Sequence, residues 1–450
     1  MDLYAPVLRH ALFPMYESFL RKRPTLEHLS DYESNLKKSA SNIESIQLEK
    51  LHVLLEHCMA NVQYYQNVFE SIGIVDIRKD IPTMADLSKL PVLTKDIIRE
   101  NFDDLIPKNL QKPNLKKSTG GSTGQSLHLE INYESELART AVMYRGYGWL
   151  GAGLGVRTFY LWGATLSPTS RLHKAKIKLH EKFLNRKTMS SFDMRKDNLN
   201  DYVDAINTFK PTALVSYTDP LYQLAKYIIA NKIKVHAPKT IITGAEALEE
   251  YQRTIIEKAF NSKVFNTYGC REVMLMAAEC KNQKGFHINS DHLVVETVNE
   301  ERQPVKNEVG DLLITDLSNF GMPLIRYQNG DQATLVDSTC SCGNPLPMME
   351  SISGRKADLL KSPDGAMIPG LFFPHLLKDI PSVIKFQVRQ SVIEELELSI
   401  VGTSAFGHEE VALIKAAFLK ITSNVKLNIN TVDIIPLTPS GKHRVTICEI

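Results

Sequence analysis

Apolar residues recur at helical spacing from Ile46 to Phe69, through Leu48, Leu51, Leu54, Leu55, Cys58 and Val62, with Tyr64 and Tyr65 following. That spacing lays one apolar stripe along an amphipathic helix packed on a core. Leu90-Pro91-Val92-Leu93 then reads as a loop ending at Thr94, whose hydroxyl is placed to cap a helix over Asp96 to Asn101. In the middle of the chain, strand and helix signals alternate. Strands are predicted over Thr158 to Gly163, Thr212 to Tyr217, Lys239 to Thr243 and Val264 to Tyr268, with helices over Asn198 to Phe209, Pro220 to Asn231 and Leu248 to Phe260. This rhythm predicts a largely parallel sheet with covering helices, in which ligands collect at the C-terminal strand ends.

After Glu272 the pattern becomes strand-rich, with His292 to Val298, Asp311 to Leu317, Leu324 to Tyr327 and Ala333 to Val336 separated by Gly, Pro and Asn turns. A small antiparallel barrel or sheet appended to the α/β core is expected there. Beyond Gly354-Arg355 come strands over Val383 to Gln390 and Glu395 to Val401, a helix over His408 to Ile421, and a strand region over Lys426 to Ile435. Their β-β-α-β order predicts a separate small α+β domain. The chain is therefore read as α/β. Residues 1–354 form a large N-terminal domain with a helical start, an α/β core and a β-rich part at about 285–350, and residues 355–450 form a small C-terminal domain.

Composition narrows the class. At 450 residues the chain is long enough for two to three packed units. Its 43% hydrophobic and 23% charged residues exclude a disordered or fibrous protein. The net charge of +2, from 53 basic and 51 acidic residues, supplies no field for nucleic acid. Arg21-Lys22-Arg23 and the run from Lys112 to Lys117 read as local solvated surface. The stretch Met1 to Phe19 is interrupted by Asp2, Arg9, His10 and Glu17, and no later segment has the ~20 apolar residues of a membrane span. A soluble, cytoplasmic protein without a transmembrane segment is expected, with Tyr4 to Leu20 left as a stretch able to dock on a partner or a membrane surface.

The six cysteines do not form a disulfide scaffold in a chain of this length. Cys58 and Cys448 read as buried thiols. Cys280, Cys340 and Cys342 fall near His287, and three thiolates with one imidazole would close a tetrahedral structural zinc site. Cys270 is the substitute ligand, and free buried cysteines are the alternative. The second chemical candidate is the run Ser118, Thr119, Gly120, Gly121, Ser122, Thr123 and Gly124, where hydroxyls and backbone N–H groups can converge on an anion. Gln125 follows in place of the Lys of an ordinary NTPase loop. Read alone, the segment leaves a flexible turn and a phosphate cradle equally open.

Eight segments in order decide between them. They are Leu54 to His57 with Ala60 to Tyr65, Leu90 to Lys95, Thr119 to Gly124, Thr243 to Glu246, Tyr268 to Glu272, Arg326 to Asp331, Gly354-Arg355, and Pro439-Ser440-Gly441-Lys442. Together, over nearly the whole chain, they resemble the acyl-adenylate-forming enzymes, in the phenylacetate-coenzyme A ligase-like branch with its capsular polysaccharide relatives. The resemblance implies an AMP-forming ligase that converts a carboxylic acid and MgATP to an acyl-adenylate and then transfers the acyl group, by default to coenzyme A.

The same resemblance distributes the roles. Ser118 to Gly124 would hold the β- and γ-phosphates; Gly244, Ala245, Glu246 and Tyr268 would border the adenine; Asp331 and Arg355 would meet the ribose; and Gly269 and Arg271 would complete the ATP site. Glu272 is placed for Mg²⁺, and Lys442 would reach the acyl-phosphate oxygens as charge develops there. Trp162, Ser216 and Tyr217 stand at predicted strand ends and are candidates for the acyl pocket. Three departures are visible: Gln125 where a Lys is common, Arg271 where a small hydroxyl residue is usual, and Ala357-Asp358 in place of an acidic hinge pair. Arg271 can supply part of the missing positive charge. A carrier-protein thiol, an amine or a sugar hydroxyl stays open as acceptor. A catalytically silent nucleotide- or acyl-binding protein and a non-adenylating ATPase stay open as other classes, and so does a dimer.

Overall fold

The computed structural model describes residues 4–110, 112–118, 127–163, 171–191, 193–355, 360–363, 367–368, 372–377, 380, 382–419, 422, 424–436 and 444–450. Contacts divide the chain into a first unit over 1–119, 125–329 and 333–352 and a second that takes 353–450 with 330–332.

The first unit opens with helices. The apolar stripe around Leu51 to Phe69 is carried by two helices, Ala40–Asn61 and Gln63–Ser71, because Val62 leaves the helical region at φ −117°, ψ 108°. The Ser39 hydroxyl caps the first by accepting the N–H of Asn42. Thr94 caps Lys95–Glu100 in the same way, at 3.3 Å from the Ile97 nitrogen.

Strands β1 (Leu115–Ser118) and β2 (His128–Ile131) form an antiparallel hairpin. The main sheet is built from β3 (Thr158–Trp162), β4 (Arg186–Ser190), β5 (Ala213–Tyr217), β6 (Thr240–Gly244), β7 (Val264–Cys270), β8 (Met274–Glu279), β9 (Phe286–Ile288), β10 (Leu293–Val298), β11 (Val309–Asp316), β12 (Tyr327–Val336) and β13 (Met348–Arg355). Their order is β10-β11-β12-β13-β9-β8-β7-β6-β5-β3-β4. Strands β4, β3, β5, β6 and β7 run parallel, and β8 turns back antiparallel to β7. The antiparallel strands expected as an appended sheet therefore continue the parallel one across β7.

Alternation along the parallel strands builds a core on each face. Phe159, Leu161, Leu214, Ile241 and Val264 pack with the helices Leu199–Phe209, Thr218–Ala230 and Glu250–Phe260. Ala213, Val215 and Ile242 pack on the other side against Val142 and Tyr147 of the helix Tyr133–Trp149, and against Leu29 and Tyr32 of Thr25–Asn35.

The second unit holds β14 (Leu360–Lys361), β15 (Met367–Ile368), β16 (Val383–Val392), β17 (Glu395–Gly402), β18 (Lys426–Thr431) and β19 (Thr446–Cys448). The last four form one sheet in the order β18-β17-β16-β19. Helix His408–Leu419 connects the parallel pair β17 and β18, and Ile414 and Phe418 enter the core with Leu398 and Ile400. Among the described residues no helix is long and apolar enough to cross a membrane. Cys58 is fully buried as expected, whereas Cys448 is half-buried.

A charged network lies under the second of these cores. Arg145 is 1% exposed and donates to both oxygens of Asp291, each at 2.7 Å, and to Asn289 Oδ1 and the Tyr32 carbonyl. Asn35 Nδ2 completes the Asp291 carboxylate at 2.8 Å. Arg139, equally buried, donates to Asp316, which also accepts from the Ser318 N–H and hydroxyl. Burial alone would raise Asp291 and Asp316, but the two arginines outweigh it and hold both carboxyls below their usual range. Removing one partner of such a pair costs about 3–5 kcal/mol, because an unpaired charge is left inside.

His292 sits between the pairs, its Nδ1 accepting the Tyr32 hydroxyl at 3.0 Å. Burial lowers it to about 4, with Arg139 and Lys50 pulling down and Asp316 and Asp291 pulling up. The imidazole is thus neutral in the fold while the unfolded chain protonates near pH 6.5. Stability is whole above that pH and is lost as pH falls toward 4. Urea titrations at about pH 7.5 and about pH 5, both above the carboxylate range, are expected to show a larger loss for the parent chain than for His292→Gln. Equal losses in the two proteins would contradict the assignment.

Candidate functional site

The parallel strands present their C-terminal ends along one edge, and the strand order reverses there. From β3 the chain moves to β4 on one side and then to β5 on the other, which makes the β3/β5 boundary the topological switch point where such sheets bind ligands. Trp162 and Tyr217 end β3 and β5, and their rings pack at 4.4 Å between centroids. Tyr217 stands opposite Gly244, the last residue of β6. A Cβ at Gly244 would lie 2.6 Å from Thr267 Oγ1 on β7, so the glycine lets neighbouring strand ends close up. Ala245 follows in the left-handed region at φ 67°, a local strain of the kind that concentrates at functional sites.

Glu246 has a clear anchor. Its Oε2 accepts the Asp219 N–H at 2.8 Å, at the start of helix Thr218–Ala230. Burial, then the Glu246 carboxylate, push the Tyr217 phenol above its ordinary range, while the Arg271 guanidinium pulls it down. The ends of β5, β6 and β7 are thus within electrostatic reach of one another. Ser216 differs: it is fully buried, and its hydroxyl donates to the Tyr217 carbonyl at 2.8 Å. That hydroxyl is spent inside the sheet.

Segment Tyr268 to Met274 carries the densest chemistry. The ladder between β7 and β8 slips at Tyr268/Gly269, and a Cβ at Gly269 would run into the Met274 carbonyl oxygen. Met274 itself takes φ 68°. The turn between these strands holds exposed Arg271 next to Glu272, which is 7% exposed. The Tyr327 hydroxyl donates to Glu272 Oε1 at 2.9 Å, and Asn329 Nδ2 donates to the Tyr268 hydroxyl at 3.1 Å. Oε2 of Glu272 takes no hydrogen bond from the described residues, so this carboxylate fits a hard divalent cation.

Tyr327 and Asn329 were not singled out from the sequence, although both lie in the segment Arg326 to Asp331. Their partners are 55 and 61 residues away, and no local pattern reports such a pairing. The segment Leu90 to Lys95 is accounted for by the same region. Leu93 bridges to Tyr327, Arg326 donates to the Leu90 carbonyl, and Lys95 Nζ donates to the Asn329 carbonyl at 2.9 Å.

Of the other expected residues, Ser118 closes β1 and is exposed, while Thr119, Gly120, Gly121, Ser122, Thr123, Gly124 and Gln125 lie outside the described residues, as does Lys442. Asp331 is half-buried within β12, and Arg355 ends β13. Cys280, His287, Cys340 and Cys342 come together with their ligand atoms all within 4.8 Å of one another, and Cys270 is not among them. Burial pushes the Cys280 thiol up to about 12.

Comparison with known proteins adds four findings. Residues 360–449 match the family model of the CapK C-terminal domain. Over 444 residues the chain is 26% identical to protein CapK of Staphylococcus aureus, covering 96% of this chain and 94% of that protein. It is also 26% identical over 378 residues to phenylacetate-coenzyme A ligase of Escherichia coli (strain K12), covering 78% of each. Among solved structures, 2-hydroxyisobutyryl-CoA ligase in complex with an adenylate superposes with a TM-score of 0.73 at 16% identity, over 92% of this chain and 90% of that one. That superposition establishes the α/β fold, with a large sheet-rich N-terminal part and a small C-terminal part.

Gly269→Ala is expected to force β7 and β8 apart at the bulge. The loss should be about 1–3 kcal/mol in urea unfolding, the range for overpacking a filled site. Unchanged stability would mean that the close approach is not required.

Proposed function

We propose that this chain is an AMP-forming ligase joining a carboxylic acid to coenzyme A, on the footing that it belongs to the acyl-adenylate-forming superfamily, in its phenylacetate-coenzyme A ligase-like and CapK branch. The relatives support acyl-adenylate formation and coenzyme A ligation in general terms. The observation that supports the reading for this chain is that Trp162, Tyr217 and Gly244 end neighbouring parallel strands beside the switch point, with Glu246 and Arg271 in electrostatic reach of Tyr217 and Glu272 next to Arg271.

In the first step a carboxylate oxygen attacks the α-phosphorus of ATP. The new O–P bond forms as the bond to pyrophosphate breaks. Both reactants are anionic, so the protein must supply positive charge and orientation. Glu272 would hold Mg²⁺, which neutralises the phosphate oxygens, and the Tyr327 hydroxyl fixes the carboxylate for that role. Arg271, next to it on the same turn, would add positive charge in a chain that carries Gln125 where a Lys is common. Lys442 would meet the oxygens of the forming acyl-phosphate bond, and Asp331 and Arg355 the ribose. The paired Trp162 and Tyr217 rings offer an apolar wall to the acyl group.

In the second step the sulfur of coenzyme A attacks the acyl carbonyl. AMP leaves with its phosphate oxygen, and the thiol proton passes to solvent. Adenylates hydrolyse readily, so the strand-end edge must be closed against water during this transfer.

Carboxylate-dependent exchange of pyrophosphate into ATP tests the proposal across a panel of aryl, alkyl and hydroxy acids. One class of acid should support exchange with AMP as product. Lys442→Ala should lower exchange by about 100-fold or more, the scale for losing one charge-stabilising group. Glu272→Gln should raise the Mg²⁺ concentration needed for half-maximal rate. ATP binding without exchange for any acid would favour a silent nucleotide-binding protein, and phosphate as the product would mark an ATPase.

A further inference from the structure

Cys280 directly follows β8, His287 is the middle residue of β9, and Cys340 and Cys342 lie in the connection from β12 to β13. Three separate pieces of chain thus bring three sulfurs and one imidazole nitrogen to one point, away from the strand-end edge that carries the adenylation residues. All six cysteines are free thiols.

The distances discriminate between a disulfide and a metal. Cys280 Sγ and Cys340 Sγ are 3.7 Å apart, far beyond the ~2.05 Å of an S–S bond. Around a tetrahedral zinc with Zn–S of about 2.3 Å, two sulfurs are separated by about 3.8 Å. Cys342 Sγ lies 3.2 Å from His287 Nε2, against about 3.5 Å for a sulfur and a nitrogen on the same ion. Two edges of the cluster therefore approach those of a tetrahedral zinc site, and all its ligand atoms lie within 4.8 Å of one another.

The surroundings complete the set. The Nδ1–H of His287 donates to the Leu346 carbonyl at 3.3 Å, which leaves Nε2 as the lone-pair nitrogen facing Cys342. Two sulfurs accept backbone N–H groups from the residue two positions on, Asn282 to Cys280 at 3.4 Å and Asn344 to Cys342 at 3.3 Å. Such bonds stabilise sulfur as thiolate. The turns that permit them need glycine: Gly285 takes φ 99° with no room for a Cβ beside the Met349 carbonyl, and Gly343 takes φ 87°.

We propose that Cys280, His287, Cys340 and Cys342 bind one zinc ion as a closed structural site. Four protein ligands leave no open position for water, so the ion takes no part in the ligase chemistry and the proposal stands whether or not the chain adenylates. Its effect is to clamp the β8–β9 hairpin to the approach of β13. The seam it holds is short, Met348 pairing His287 and Met349 pairing Phe286. From His287 the order passes inward, because its ring packs edge-on against Trp149 at 6.1 Å, and Arg145 of the buried network lies over that indole at 5.6 Å.

The test uses the full chain, expressed with zinc in the medium and purified without chelator. Elemental analysis should find about one zinc per chain, and cobalt substitution should give the thiolate-to-metal charge-transfer absorption of a tetrahedral site. Cys340→Ser and Cys342→Ser should each lower metal content and melting temperature, while Cys270→Ser leaves both unchanged. Exhaustive chelation of the parent should lower its melting temperature to that of the variants, with recovery on adding zinc. A folded chain with no metal, no response to added zinc and all thiols reduced would overturn the proposal. So would a Cys280–Cys340 disulfide, or zinc retained in both Cys→Ser variants.

Discussion

One turn sets the terms for the rest of the molecule: the reversal from β7, parallel to β6, to β8, antiparallel to β7. A parallel sheet normally needs a long crossover to its next strand. Here the chain returns after Arg271, Glu272 and Val273 alone, so the sheet changes character at the turn that carries Arg271 and Glu272. That reversal is sterically demanding. It requires Gly269 against the Met274 carbonyl, a slipped register, and Met274 in the left-handed region. In exchange, a glutamate stands at a strand end, almost buried and held by the hydroxyl of Tyr327 from another strand.

Around that turn the support is electrostatic as much as apolar. The segment Leu90 to Lys95 lies alongside Arg326 to Asn329 and is fastened to it by Arg326 and by Lys95. Arg145 with Asp291 and Arg139 with Asp316 tie the helix Tyr133–Trp149 to the β9–β10 connection and to the end of β11, with neutral His292 between them. Buried pairs of this kind add little net stability but strongly penalise any arrangement that separates them. They hold that helix against the β9–β10 connection and the end of β11, and a zinc ion on Cys280, His287, Cys340 and Cys342 would do the same for the seam between β9 and β13.

The parallel core was legible because strands covered on both faces are continuous apolar runs, such as Thr212 to Tyr217, and their helices keep a 3.6-residue period. Strand ends that carry Gly244 and Tyr268 were legible for the same reason. Strand β8 was not, since Met-Leu-Met-Ala-Ala-Glu has no β-branched residue to mark it. The helix Tyr133–Trp149 was hidden by two inward-facing arginines and by Gly146, where a Cβ would meet the Leu275 side chain. Strand β12 reads as two pieces because its polar centre, Gln328 to Gln332, serves hydrogen bonds rather than a core. The Cys280, His287, Cys340 and Cys342 cluster was visible as residue types, and the fold brings those four together without the substitute candidate Cys270. The triple Trp162, Ser216 and Tyr217 divides in the same way: strand position alone could not tell that the Ser216 hydroxyl is consumed internally.

The central claim is that adjacent strand ends of one sheet form a nucleotide site around Glu272. Amide hydrogen exchange of the full chain, with and without MgATP, tests it most directly because it needs no knowledge of the acid. The account predicts slowed exchange in three separate segments, residues 244–246, 268–272 and 327–331, with little change around Cys280, His287, Cys340 and Cys342 or in the helices around Leu51. Nucleotide binding that leaves those three segments unprotected, or protection confined to another part of the sheet, would contradict it.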